Sequence, residues 1–241
     1  MKEQSLRAKP MHYCPGCGHS VVHRLLCDVI DELDIREKTI GIAPVGCAVL
    51  AYDYWNFDVT EAAHGRGPAV ATAIKRVLPD SIVFTYQGDG DLAAIGTSEI
   101  IHTANRGENI TVLFVNNGVY GMTGGQLAPT TMIGQKTATT IKGRDLKRDG
   151  FPLKICEMIA MLPGVRYVER VSIHDKKNLN LAKEAIKKAF GMQISGKGFS
   201  LVEIVTVCPT YGARTMKEAY DRMKNEVLKY YPLGVLKNAS D

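Results

Sequence analysis

The sequence has no run of apolar residues long enough to cross a bilayer, although 45% of its 241 residues are apolar. Its first residues, Met1 to Ser5, lack the apolar core and the small-residue cleavage site of a secretory signal. It also contains no internal repeat and no low-complexity linker. We therefore expect a single globular domain over residues 1–241 that lies in the cytoplasm and has no membrane partner.

The charge balance shows no strong excess of either sign. The net charge is +5, and the Lys and Arg residues are scattered among nearly as many acidic residues. This pattern is typical of a solvated surface, so we expect no nucleic-acid partner. The weak positive field favours docking of an acidic protein.

Short apolar runs alternate along the chain with segments of helical spacing. The predicted strands cover residues 39–43, 82–86, 110–115, 165–171 and 200–207. The predicted helices cover residues 20–33, with Ser20 as N-cap, 70–78, 92–105, 153–161 and 175–190, and a last helix begins at Thr215. This order predicts an α/β fold with a mostly parallel twisted sheet and helices on both faces. The Gly- and Thr-rich stretch that follows the predicted strand at residues 110–115 and reaches about residue 150 is expected to be a functional loop.

The triplet Gly88-Asp89-Gly90 lies where a buried strand turns into a helix. This is the carboxyl edge of a parallel sheet, where the ligands of open α/β folds bind. Glycines there let the backbone approach a phosphate, and the helix N-terminus presents free N–H groups to it. The triplet therefore predicts a phosphate-binding turn.

Three alternatives compete for this turn. Gly88, Gly90 and Ala93 satisfy a loose dinucleotide-binding pattern, but Asp89 would repel a pyrophosphate, and the next strand ends in Asn116-Asn117 instead of an acid. A P-loop is excluded because no Gly-Lys-Ser/Thr follows. A tight turn and an Asx turn that only join sheet and helices are the purely structural alternative. A Mg²⁺ ion between Asp89 and the phosphates removes the repulsion, with the Asn117 side chain and the Val119 carbonyl completing its ligands.

The arrangement of strand, Gly-Asp-Gly, residues 91–115 and Asn-Asn resembles the thiamine diphosphate motif of decarboxylases and 2-oxoacid oxidoreductases. The resemblance implies that Asp89, Asn117 and the Val119 carbonyl hold magnesium. The stretch from Val119 to Gln126 further resembles the 2-oxoacid:ferredoxin oxidoreductases. By this resemblance the following residues contact the cofactor: Gly88, Asp89, Gly90, Asp91, Asn117, Val119, Tyr120, Gly121, Met122 and Thr123.

Six cysteines in a cytosolic chain suggest metal ligands or redox groups more than disulfides. The Cys14-Pro15-Gly16-Cys17 pair alone fits a zinc knuckle, an iron-sulfur site or a dithiol. Cys47 and Cys208 follow strands, and the four thiolates together suit a [4Fe–4S] cluster with one thiolate for each iron corner. Cys27 and Cys156 fall within predicted helices and are expected in the core.

The Cys-Pro-Gly-Cys-Gly-His opening at Cys14 to His19 resembles the beta subunit of the 2-oxoacid:ferredoxin oxidoreductases, and the resemblance covers nearly the whole chain. It implies a thiamine diphosphate-binding fold, a single domain of the diphosphate type with an N-terminal segment of iron-sulfur ligands. It also implies that residues 46–47 (Gly46, Cys47) and 64–66 (His64, Gly65, Arg66) lie near the cofactor. A loop that merely caps the following helix is the alternative for the second of these stretches.

The resemblance implies oxidative decarboxylation of a 2-oxo acid to acyl-CoA and CO₂, with electrons passing through the cluster to ferredoxin. The expected partners are an alpha subunit that supplies the activating glutamate, a gamma subunit, and a ferredoxin-like delta subunit or free ferredoxin. No catalytic residue is therefore assigned within this chain. Some relatives carry a lysine where this chain has Gly124, so branched-chain 2-oxo acids and 2-oxoglutarate both stay open as substrates. A nonoxidative thiamine diphosphate lyase with structural zinc, and a noncatalytic iron-sulfur electron-transfer module, are the alternatives in other classes.

Overall fold

The computed structural model describes residues 4–211, 213 and 215–239. Residues 1–3, which begin the segment expected to lack a secretory signal, lie outside this range. The strands are β1 (Thr39–Ala43), β2 (Asp58–Glu61), β3 (Ile82–Gly88), β4 (Thr111–Asn116), β5 (Val119–Tyr120), β6 (Gln126–Leu127), β7 (Val165–Ser172), β8 (Phe199–Val205) and β9 (Gly234–Asn238). The α-helices are α1 (Gly18–Glu32), α2 (Gly67–Val77), α3 (Thr97–Asn105), α4 (Leu146–Asp149), α5 (Ile155–Ala160), α6 (Lys176–Ile194), α7 (Met216–Arg222) and α8 (Leu228–Tyr230).

Seven strands form one sheet in the order β2-β1-β3-β4-β8-β7-β9. All neighbouring pairs are parallel except β7 and β9, which are antiparallel. The predicted α/β fold with a mostly parallel sheet is therefore confirmed. The two edge strands, β2 and β9, were not predicted, because an edge strand is short, half solvated and lacks a continuous apolar run.

Helices cover both faces of the sheet, as predicted. One core lies between the sheet and the pair α1 and α6, and it takes Phe84 and Tyr86 from β3. The other lies between the sheet and helices α2, α3 and α5, and it takes Val83 from the same strand. Because successive side chains of a strand point to opposite faces, each buried central strand supplies both cores. This explains why these strands read as unbroken apolar runs.

Two helices begin earlier than predicted. Helix α1 starts at Gly18 with Cys17 as its N-cap, so the assignment of Ser20 as N-cap is wrong. The Ser20 hydroxyl instead donates to the Cys17 carbonyl at 3.0 Å, inside the first turn. Helix α2 starts at Gly67 because Pro68 occupies its first turn, where a proline loses no hydrogen bond.

The helix predicted over residues 92–105 is divided in two. A π-helical turn covers Asp91–Ile95, and α3 begins after Gly96. A Cβ atom at Gly96 would collide with the Asp91 carbonyl and would lie 2.8 Å from the Gly65 carbonyl. The break therefore lets the loop around Gly65 pack against the backbone of this helix, beside the end of β3.

The C-terminal region begins with the helix predicted from Thr215. The Thr215 hydroxyl accepts a hydrogen bond from the Glu218 N–H and caps α7. A π-helical turn over Met223–Val227 leads to α8, and the chain then returns as β9 beside β7. No helix among the described residues is both long and apolar enough to cross a membrane.

Candidate cofactor site

The ends of β3 and β4 lie side by side at the carboxyl edge of the sheet. The strands are parallel, and Gly88 is paired with Val115. The two segments that sequence analysis selected, Gly88-Asp89-Gly90 and Asn116-Asn117, therefore meet in the fold. The contacts between them are direct.

Asp89 lies at the centre of this meeting point. Its side chain is 4% exposed, and its Oδ2 accepts hydrogen bonds from the Gly118 N–H at 2.9 Å and the Thr130 hydroxyl at 3.1 Å. No ion pair among the described residues includes it. Burial raises the pKa of Asp89 to about 7, although the hydrogen bonds from Thr130, Gly118 and Gly90 act in the opposite direction. A buried carboxylate without a cationic partner suits a metal ion.

The Asn117-Gly118-Val119 turn folds around the same carboxylate. The Asn117 Oδ1 accepts a hydrogen bond from the Val119 N–H at 3.2 Å, and Gly118 has a φ of +75° that favours glycine. This turn points the Gly118 N–H at Asp89. Carboxylate, amide and carbonyl oxygens are the ligands that Mg²⁺ accepts. The donor set around Asp89 therefore fits a magnesium ion.

A cavity of about 370 Å³ opens at this edge of the sheet. Its volume falls within the usual range for small-molecule sites. Its lining contains every predicted cofactor-contacting residue except Gly65 and Arg66, namely Gly46, Cys47, His64, Gly88, Asp89, Gly90, Asp91, Asn117, Val119, Tyr120, Gly121, Met122 and Thr123. The wall also includes His19, Ala94 and Ile95.

Asp91 binds protein groups with both of its oxygens. Oδ1 lies 2.7 Å from Nδ1 of His64 and accepts the Gly65 N–H at 2.9 Å, and Oδ2 accepts from Nε2 of Gln87 at 2.7 Å. Because a carboxylate only accepts, Nδ1 of His64 carries the hydrogen. Asp91 thus holds the His64 loop beside the cavity, and the His64 ring borders it.

Gly65 and Arg66 are near the cavity without lining it. Gly65 has a φ of +80° and packs against the Gly96 backbone. Arg66 forms an ion pair with Glu99 of α3. Of the three residues 64–66, only His64 lines the cavity, and the prediction that the cofactor lies near all three stays a prediction.

Two glycines leave open space at the cavity. A Cβ atom at Gly46 or at Gly88 would meet no other atom within 4 Å. At Gly90, in contrast, a Cβ would lie 2.9 Å from the Tyr120 ring. The Tyr120 ring therefore lies against the phosphate-binding turn, and the adjoining space is free for a ligand.

The cysteines meet beside Gly121. A Cβ atom at Gly121 would lie 3.2 Å from Sγ of Cys47 and 3.7 Å from Sγ of Cys208. Electrostatic interactions connect Cys47 with Cys17, Cys208 and Cys14. The four cysteines predicted as cluster ligands are thus brought together, and Cys47 and Gly121 both line the cavity.

Burial favours the neutral form of the Cys17, Cys47 and Cys208 thiols by raising their pKa. Burial, followed by the neighbouring Cys17 and Cys208 thiols, raises the pKa of Cys47 to about 12. Burial also raises the pKa of Cys17 and of Cys208. Metal ions ionise coordinating thiols, so this crowded donor set fits a group that brings positive charge. Over the described ranges, no three or more His, Cys, Asp or Glu side chains are arranged around a single metal ion, and the cluster ligands stay a prediction.

Cys27 and Cys156 are both in the core, as predicted. Cys27 packs between α1 and the sheet, and Cys156 packs between α5 and the sheet. Burial raises the pKa of both thiols. Neither one lines the cavity.

Several residues of the site were not identified from the sequence. His19 lines the cavity, and its Nδ1 lies 2.8 Å from the Tyr86 hydroxyl. Thr130 reaches Asp89 from the Gly- and Thr-rich loop, and Gln87 reaches Asp91. Gln87 could have been identified as a site residue because it directly precedes Gly88. Thr130 could not, because it lies far from Asp89 along the chain.

The fold and this site define the class of diphosphate-binding domains of thiamine diphosphate enzymes. Residues 44–204 match the family described as thiamine pyrophosphate enzyme, C-terminal TPP binding domain. The chain belongs to this family, and its relatives include subunits named as 2-oxoacid:ferredoxin oxidoreductase subunit beta.

One such relative is the ketoisovalerate oxidoreductase subunit VorA of Methanothermobacter thermautotrophicus, which is 47% identical over 229 residues, covering 95% of this chain and 48% of the relative. Another is the 2-oxoglutarate synthase subunit KorB of Methanocaldococcus jannaschii, 38% identical over 207 residues, with 85% and 72% covered. The chain thus spans about half the length of the VorA relatives.

A solved structure shows the same fold over nearly the whole chain. It is the 2-oxoglutarate:ferredoxin oxidoreductase from Magnetococcus marinus with 2-oxoglutarate, coenzyme A and succinyl-CoA bound. The TM-score is 0.80 at 25% identity, and the match covers 98% of this chain and 84% of the other.

Proposed function

We propose that this chain is the thiamine diphosphate-binding beta subunit of a 2-oxoacid:ferredoxin oxidoreductase complex. The complex would convert a 2-oxo acid and coenzyme A to acyl-CoA and CO₂ and pass two electrons through a [4Fe–4S] cluster to ferredoxin. One observation carries the proposal: the thiols of Cys47 and Cys208 border Gly121, which also lines the cavity of Asp89 and Asn117. A diphosphate site and a thiolate site therefore share one wall.

The residues of this chain bind and orient the cofactor. Asp89, Asn117 and the Val119 carbonyl would hold Mg²⁺, which neutralises the diphosphate. Gly88 leaves the backbone accessible just ahead of the π-helical turn, because a Cβ there would meet no atom within 4 Å. When bound, thiamine diphosphate supplies the nucleophilic carbon and the electron sink for decarboxylation. The cavity wall is largely apolar and includes Ile95 and Met122.

The cluster ligands are proposed to be Cys14, Cys17, Cys47 and Cys208. A cluster held there accepts electrons one at a time. Cys47 lines the cavity directly, and Gly121, which has no side chain, lies between the cavity and the Cys208 sulfur. Electrons would leave the cavity by this short route.

The activating glutamate is proposed to come from an alpha subunit. Among the residues that the structure describes, the cavity lining includes Asp89 and Asp91 but no glutamate. Both aspartates bind other groups through their oxygens, so neither is free to activate the aminopyrimidine. A gamma subunit and a ferredoxin-like delta subunit, or free ferredoxin, would complete the hetero-oligomer.

We infer that the substrate is a branched-chain 2-oxo acid. The relative at 47% identity is named a ketoisovalerate oxidoreductase, and the 2-oxoglutarate relative is 38% identical. Position 124 is glycine, so it offers no cation to a second carboxylate of the substrate. The apolar wall residues Ile95 and Met122 suit an aliphatic side chain.

The first test is a substrate panel with the native complex. We expect ferredoxin reduction that depends on coenzyme A and is faster with 3-methyl-2-oxobutanoate than with 2-oxoglutarate. Equal or preferred turnover of 2-oxoglutarate would refute the substrate assignment. Turnover by the isolated chain, loaded with cofactor and cluster, would refute the need for an alpha subunit.

A second test addresses the cluster and both alternatives. The Cys47→Ser variant should lose the broad visible absorbance of a [4Fe–4S] cluster, whereas Cys27→Ser, a core cysteine, should keep it. A colourless zinc-bearing wild type would support the nonoxidative lyase instead. Absence of magnesium-dependent thiamine diphosphate binding, measured by calorimetry, would leave only the electron-transfer module.

A further inference from the structure

Arg144 is a buried arginine whose guanidinium contacts backbone carbonyls. Its residue is 6% exposed, and it lies in the irregular part of the Gly- and Thr-rich loop, ahead of α4. No ion pair among the described residues includes it. A buried charge without a counter-charge is costly unless its hydrogen bonds are satisfied, so this placement calls for a structural explanation.

The guanidinium joins two segments of that loop, residues 128–131 and residues 149–151. Nη1 donates to the Ala128, Pro129 and Thr131 carbonyls at 3.3, 2.9 and 2.8 Å. On the other side, Nε donates to the Gly150 carbonyl at 2.9 Å, and Nη2 donates to the carbonyls of Asp149 and Phe151 at 3.2 and 2.7 Å. The rigid planar fork of arginine suits such a set of fixed acceptors.

The segment held in this way reaches the magnesium site. The Thr130 hydroxyl donates to Oδ2 of Asp89 at 3.1 Å, and the Thr131 hydroxyl donates to the Gly118 carbonyl at 2.6 Å. Gly118 itself donates to Asp89. Residues 128–131 therefore contact both parts of the predicted metal site, namely Asp89 and the turn that contains Gly118.

We propose that Arg144 is a positioning residue for the magnesium site, which fixes residues 128–131 so that Thr130 holds Asp89 and Thr131 holds the Asn117-Val119 turn. It acts through these threonines and touches neither metal nor cofactor. The proposal rests on the proposed function, because it concerns the magnesium that carries the diphosphate. Groups that orient a metal ligand commonly change metal affinity by about 10–100-fold when they are removed.

The test is a magnesium titration of thiamine diphosphate binding to the native complex, followed by calorimetry. We expect Arg144→Met to need about 10–100-fold more Mg²⁺ for half-saturation, with full cofactor binding restored at high Mg²⁺. Arg148→Met is the matched control. Arg148 lies in the same loop but is exposed and donates to Asp149 and to the Gly143 carbonyl, so its loss should leave the Mg²⁺ requirement unchanged.

A double-mutant cycle separates positioning from general support. Thr130→Val removes the hydroxyl on Asp89 and should raise the Mg²⁺ requirement by about tenfold. If Arg144 acts through Thr130, the Arg144→Met/Thr130→Val variant should need little more Mg²⁺ than Arg144→Met alone. Additive losses, or a fall in thermal stability without any change in Mg²⁺ requirement, would overturn the proposal.

Further variants keep the test decisive if Arg144→Met does not fold. Arg144→Lys retains the charge but not the planar fork, so it should still raise the Mg²⁺ requirement by about tenfold or more. An Arg144→Lys variant with wild-type Mg²⁺ affinity would contradict the positioning role. A wild type that binds no thiamine diphosphate with Mg²⁺ would instead contradict the proposed function, so the two failures are distinct.

Discussion

The backbone N–H of Gly118 donates a hydrogen bond to Oδ2 of Asp89 at 2.9 Å, which ties the turn after β4 to the turn after β3. Asp89 is the acceptor, and its burial disfavours the charged form. The bond therefore couples the geometry of one turn to the charge on the other.

Magnesium binding should release a proton below neutral pH. Burial raises the pKa of Asp89 from an ordinary value of 3.8 to about 7, so below that pH the metal must displace a proton from the carboxyl group. We expect Mg²⁺ affinity, in the presence of thiamine diphosphate, to fall about tenfold for each pH unit below 7 and to level off above it. Calorimetry in buffers of different ionisation enthalpy measures the protons released.

The same carboxyl group provides the control for this prediction. In Asp89→Asn the pH dependence of Mg²⁺ affinity should disappear. Most of the free energy of Mg²⁺ binding should be lost as well, about 2–5 kcal/mol. Asp53→Asn, which changes a half-exposed carboxylate paired with Lys9, should change neither quantity. Proton release that persists in Asp89→Asn would show that another group titrates.

A side chain at Gly121 should disturb the cysteine site. In Gly121→Ala the new Cβ would lie 3.2 Å from Sγ of Cys47, which is closer than ordinary contact, so the sulfur must move. We expect loss of most of the iron-sulfur absorbance. Gly191→Ala on α6, where a Cβ meets no atom within 4 Å, should leave the spectrum unchanged.

A side chain at Gly96 should loosen the His64 loop. The new Cβ would collide with the Asp91 carbonyl and would lie 2.8 Å from the Gly65 carbonyl, so Gly96→Ala should destabilise the protein by about 1–3 kcal/mol. The substitution should also weaken cofactor binding, because it would strain the hydrogen bond from the Gly65 N–H to Asp91. Thermal unfolding and cofactor titration measure both effects. Unchanged binding in a destabilised variant would mean that this loop does not shape the cavity.

The buried Glu203 should contribute to the free energy of unfolding through its two hydrogen-bonded partners. Its oxygens accept from Nδ2 of Asn116 at 2.7 Å and from Nε of Arg170 at 2.6 Å. Glu203→Gln places an amide donor against one of these donors, so we expect a loss of about 1–3 kcal/mol in the free energy of unfolding. Glu226→Gln, at an exposed pair with Arg222, should change it by less than about 0.5 kcal/mol. Denaturant titration compares the two.

The sequence contained enough information for the central strands and for the meeting of Asp89 with Asn117. Buried parallel strands are continuous apolar runs, and parallel strands with consecutive turns bring those turns to one edge. The edge strand β9 carried no such signal, because its neighbour supplies its hydrogen bonds and its residues are mostly half-exposed. The N-cap of α1 was misplaced because Cys17, which has no usual capping preference, precedes the helix.

The residues that hold the site in place, Thr130 and Arg144, could not be predicted from the sequence for a different reason. Thr130 reaches Asp89 and Arg144 reaches Thr131 through contacts that depend on how an irregular loop folds back. No periodicity governs such a loop, and an arginine in a polar segment is usually expected on the surface. Contacts of this kind become visible only when all backbone partners are known.

The position of Gly121 also sets an order of events during folding. Cys47 belongs to a segment that follows β1, whereas Cys208 follows β8, which is the last parallel strand of the chain. Their sulfurs meet at Gly121 only after the strands between them have paired. A growing chain therefore cannot assemble this corner until residue 208 has been synthesised, and any group held by both of these thiols must be inserted after that point.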